Sequence, residues 1–62
     1  MGRRFRRGNI SYYDGDILFF SYEGKDEKGL LFFNEAERKF MVLLSNDIVV
    51  LAEDIGFENF KK

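Results

Sequence analysis

The sequence predicts an all-β fold: a small SH3-like antiparallel barrel of four to five strands, with room for one short helical turn. Three observations point there. The apolar runs are short and rich in aromatic and β-branched residues, at positions 17–20, 30–33, 40–44 and 48–52. The stretches between them are polar, contain Gly, Asn or Asp, and have hairpin length. Finally, 62 residues make one domain at most, near the lower size limit for folding without a metal or disulfide. A sheet this small gains from curling closed, because a flat one leaves two open edges and covers only one face.

Taken in order, residues 9–13 form a short strand, and Asp14-Gly15 is a turn signal before the strand at 16–23 (DILFFSYE). Residues 23–29 (EGKDEKG), polar with a Gly near each end, read as the hairpin loop, and 30–33 (LLFF) as its return strand. Residues 34–37 form the next turn. The segment 34–44 has two readings. Asn34 with Glu37 resembles a helix capping box, and Ala36, Phe40, Leu43 and Leu44 would then share a helical face. The unbroken apolar run 40–44 equally suits a buried strand, and the loop lengths of a small barrel favour the strand. Residues 45–47 turn the chain into the strand at 48–52, and 53–56 break it. Residues 57–62 form a short strand, a helical turn or a tail. The division is therefore a basic arm at 1–8 and one barrel domain at 9–62.

Composition removes much chemistry. With no Cys and no His there is no disulfide, no thiolate or imidazole ligand, and no Cys–His or Ser–His nucleophile. Asp14-Gly15-Asp16 opens like a calcium loop, but Leu18 and Phe20 stand where oxygen ligands belong. Gly24 and Gly29 lack phosphate-loop spacing, and Glu35, Glu37, Glu53 and Asp54 are of a kind common on any solvated surface. The expectation is a non-enzymatic protein with no catalytic residue, cofactor, metal or small-molecule substrate. Tyr12, Tyr13 and Tyr22 suit either a peptide groove or hairpin packing. The opening MGRRFRRG is basic, but no apolar stretch of signal-peptide or membrane-spanning length follows it. A cytoplasmic location without a membrane is expected.

Charge is segregated beneath a formal net of −1. Arg3, Arg4, Arg6 and Arg7 crowd the first eight residues and Lys61-Lys62 the last two, while all 11 acids lie between. Guanidinium forks match phosphate oxygens, and Phe5 among the arginines suits stacking on a base. Arg3, Arg4, Phe5, Arg6 and Arg7 are thus a candidate nucleic-acid arm. Against this, the overall pI is about 5.3, whereas nucleic-acid modules are generally basic, and a solvated arm resting on the acidic body explains the same residues.

The strands are apolar at odd and even positions alike, so both faces carry large side chains. Either the barrel curls so that its strands pack on each other twice, or the N-terminal arm and the Phe57/Phe60 tail cover the second face, or that face associates with a partner. The last reading leads, with Phe19, Leu31, Phe33, Met41 and Leu43 as the protein interface and a homo-oligomer or protein partner as its consequence.

The stretches 13–20 (YDGDILFF), 28–33 (KGLLFF) and 47–51 (DIVVL), followed by Gly56 and Glu58-Asn59, resemble the YopX-type domain of small phage and prophage proteins. The chain departs from that pattern at Ala52-Glu53-Asp54, where the family tends to have Gly-Asn. The resemblance implies a compact β-domain and a phage-encoded accessory protein, and it transfers no catalytic residue.

Overall fold

The computed structural model describes residues 4–62. Six strands are followed by a short helix and a 3-10 turn. The strands are β1 (Arg4–Arg7), β2 (Ile10–Tyr13), β3 (Ile17–Tyr22), β4 (Lys25–Asn34), β5 (Lys39–Leu44) and β6 (Val49–Leu51). The helix is α1 (Ala52–Ile55), and the 3-10 turn is Phe57–Asn59. β1 and β2 form a separate two-stranded ribbon, and β3-β4-β5-β6 is an antiparallel meander. No helix among the described residues is long and apolar enough to cross a membrane.

The turns set the register. Tyr22 pairs with Lys25, so β3 and β4 are joined by Glu23-Gly24 alone. Both residues have positive φ, 52° and 79°, the signature of a type I′ turn whose twist matches that of the flanking strands. The expected loop at 23–29 is therefore wrong in length: β4 starts at Lys25, and Gly29 lies inside it, buried. At the next turn the Asn34 side-chain oxygen accepts the Glu37 N–H at 3.1 Å, and its carbonyl accepts the Arg38 N–H at 2.7 Å. Asn34 thus organises a hairpin turn instead of capping a helix, and Lys39–Leu44 is a strand. After β5, Asp47 takes φ 67° and the Leu44 N–H reaches the Ile48 carbonyl at 2.8 Å.

Direct opposition places Leu18, Gly29 and Leu44 on one face of the sheet, with Leu31, Val42 and Val50 beside them. This is the core face, where Leu18, Leu31 and Val42 are fully buried together with Tyr12 of the ribbon. Ala52 and Ile55 of α1 and Phe60 complete the buried cluster. Phe5 seals it, its ring 4.9 Å from Tyr12, 4.8 Å from Phe40 and 4.9 Å from Phe57. The Tyr12 hydroxyl donates to the Phe60 carbonyl at 3.5 Å. Of the residues expected as a basic arm, Arg4–Arg7 form β1, anchored by Phe5, and residues 1–3 lie outside the described residues.

The architecture is all-β, but neither sheet closes into a barrel. After β6 the chain coils as α1 and the 3-10 turn instead of extending as a further strand. Among the described residues after β6, Lys61 reaches the edge of β3, exchanging two 2.7 Å backbone hydrogen bonds with Phe19. The result is two layers: the four-stranded sheet, and over its core face the ribbon and the C-terminal segment.

Candidate functional site

The two-residue turn pairs odd positions of β3 with even positions of β4, and the next turn pairs even positions of β4 with odd ones of β5. The face turned away from the core therefore carries Ile17, Leu30, Leu43 and Val49 in one row across all four strands. Phe32, Met41 and Leu51 form a second row, and Phe19 extends the face along β3. The ribbon and the C-terminal segment contribute to the core cluster on the opposite side. Among the described residues this outer face is thus left to its own side chains, with Ile17 48%, Phe19 50% and Val49 44% exposed. Charge appears only toward the ends of the strands. Asp26 stands opposite Ser21 and Lys28 opposite Phe19 at one end, and Lys39 opposite Asn34 at the other.

Of the expected interface, Phe19, Met41 and Leu43 lie on this face. Leu31 and Phe33 do not. Leu31 is 0% exposed opposite Val42, and Phe33 packs edge-on against Phe40 at 5.2 Å on the core side. Shifting the pairing parity of a strand sends its side chains to the opposite face, and a loop at 23–29 implies the wrong parity for β4. The outer-face residues it displaced are Leu30 and Phe32. Ile17, Val49 and Leu51 also belong to this face; Ile17 shares the parity of Phe19 on β3, whereas β6 is apolar at every position and carries no such signal.

The arginines meet a different setting. Arg3 lies outside the described residues. Arg4 stands directly opposite Tyr13 and Arg6 opposite Ser11, on the solvent face of the ribbon. Phe5 points the other way, into the aromatic cluster, so it is packing and cannot serve as a base platform. Arg7 is exposed at the ribbon tip, and Arg6 Nε donates to the Gly8 carbonyl at 3.1 Å. Lys62 joins this surface from the other end of the chain. Its Nζ donates to the Ser11 carbonyl at 2.9 Å, pairs with Asp16 at 3.0 Å and lies 5.6 Å from the Tyr13 ring centroid. Burial pushes the Asp16 carboxyl up, but the Tyr13 N–H and the Lys62 ammonium outweigh it and hold the group below its ordinary value.

A cavity of about 430 Å³ lies between Phe19, Phe20, Asp26, Glu27, Glu58 and Lys61. Among the described residues, no three acidic side chains gather as a metal site would require. The chemistry on offer is association: an apolar plane on one side, and a basic strip with an exposed tyrosine on the ribbon. No protein-family model, no curated protein and no solved structure matches this chain.

Proposed function

We propose that this protein is a non-enzymatic interaction module whose outer sheet face packs against a second copy of the chain. One observation carries the reading: two apolar rows, Ile17-Leu30-Leu43-Val49 and Phe32-Met41-Leu51, lie on the face opposite the core. Of these rows Ile17 and Val49 are exposed and the others half-buried, and contiguous apolar surface of this kind marks association sites. The likeness to small phage domains supports the further reading of a phage-encoded accessory protein.

Size and charge favour a second copy as the occupant. The four strands hold 6, 10, 6 and 3 residues, which at ~3.3 Å rise and ~4.8 Å spacing give a face of roughly 400 Å². Two such faces stacked at ~10 Å would bury about 800 Å², the size of a weak, concentration-dependent association. A two-fold axis perpendicular to the strands brings the Asp26 end of one copy over the Lys39 end of the other, so unlike charges meet at the rim.

Light scattering across a concentration series tests this. A mass of two 7.4 kDa chains, insensitive to salt, is the expected result. Phe19→Asp and Leu43→Asp should each return a folded monomer. A parent chain that stays monomeric at millimolar concentration sinks the self-association reading and leaves a different protein as the partner to seek.

A further inference from the structure

The ribbon offers a second surface, built from residues that take no part in the sheet face. We propose that its solvent side binds single-stranded nucleic acid, with Tyr13 as the stacking platform and Arg4 and Arg6 holding phosphates.

The geometry begins with the β1–β2 pairing. Arg4 and Arg6 are two apart on one strand, so their side chains leave the same face about 6.8 Å from each other. Tyr13 stands directly opposite Arg4, with Cβ atoms ~5 Å apart; the residue is 45% exposed, with the Lys62 ammonium 5.6 Å from its ring centroid. An aromatic ring flanked by guanidinium groups is the arrangement that holds a strand: the ring stacks on a base and the forks take the neighbouring phosphates. Arg7, on the other face of β1 by strand alternation, lies outside this strip.

The surrounding charge is compatible. Positions 4–13 carry three arginines and no acid. Asp14 and Asp16 follow in the next turn, and Asp16 is already engaged by the Tyr13 N–H and Lys62. The rest of the body is acidic, which limits the footprint to this strip and disfavours a duplex. A duplex presents a broad polyanion to that body and keeps its base faces stacked inside, where Tyr13 cannot reach them.

The test is fluorescence anisotropy of a labelled twelve-residue oligothymidylate with the full-length chain. Neutralising about two phosphates of a single strand gives a log–log salt slope near −1.4, so affinity should fall about 7-fold between 50 and 200 mM salt. Tyr13→Leu should weaken binding about tenfold at unchanged slope, while Tyr13→Phe should retain it. Arg4→Ala with Arg6→Ala should make the slope shallower by about 1.4. Lys25→Ala, on the other sheet, should change neither. Circular dichroism of each variant separates lost binding from lost fold, and the Tyr13→Phe and Tyr13→Leu pair keeps the test valid if truncation to Ala unfolds the ribbon. No binding at 50 mM salt overturns the proposal. So does equal binding by Tyr13→Leu, which would mark a plain polyanion contact, or tighter binding of a duplex of the same length. None of these outcomes depends on whether the sheet face dimerises.

Discussion

Gly29 shows how little slack the core has. A Cβ at this position would overlap Val42 Cγ1 and come within 3.1 Å of the Leu43 carbonyl and 3.3 Å of the Phe20 ring. Val42 is β-branched and stiff, and the carbonyl is tied into the β4–β5 ladder, so neither neighbour yields cheaply. Gly29→Ala should therefore destabilise the fold by about 1–3 kcal/mol, read as a lower urea midpoint at unchanged slope. Asp16 sets a pH dependence. Its folded carboxyl sits below the ordinary value, so the stability it contributes is present above about pH 3.9 and is lost as pH falls through the lower folded value. Asp16→Asn should melt earlier than the parent chain at pH 7, and the gap between their melting temperatures should shrink toward zero in acid.

At the level of elements, the turn between β3 and β4 decides the most. Glu23 is held at φ 52°, a left-handed conformation that Asn tolerates better than Glu. Glu23→Asn should raise stability by about 0.5–1 kcal/mol, measured by urea titration, without altering the fold. The same turn explains what the sequence could and could not disclose. Strand composition placed β2, β3, β5 and β6 to within a residue or two, because the aromatic and β-branched runs there are bounded by turn residues. Strand was rightly favoured over helix at 39–44, since an unbroken apolar run on a hairpin needs no helical face. The start of β4 was hidden, because Lys25, Asp26, Glu27 and Lys28 are polar residues on a strand end that overhangs the core. With it went the pairing parity, and hence the placement of Leu31 and Phe33. The strand nature of Arg4–Arg7 was hidden for a similar reason: one aromatic among arginines gives no alternation to read, and only the contacts of Phe5 reveal it.

Across the whole molecule, the sheet separates two populations of apolar side chains that composition alone merges. Substitution should expose the difference. Leu31→Asp buries an uncompensated charge opposite Val42 and should abolish the cooperative thermal transition, whereas Phe19→Asp should keep it. The same layering bears on how the chain assembles. The meander is made of local hairpins, which close in microseconds, whereas Phe5 and Tyr12 meet Phe57 and Phe60 only by joining the two ends of the chain. Docking of the ends is then the late, slow event of folding and the first to reverse. Because the chain has no Trp, replacing Tyr13 and Tyr22 by Phe leaves the buried Tyr12 as the one emitter, a reporter of that closing step.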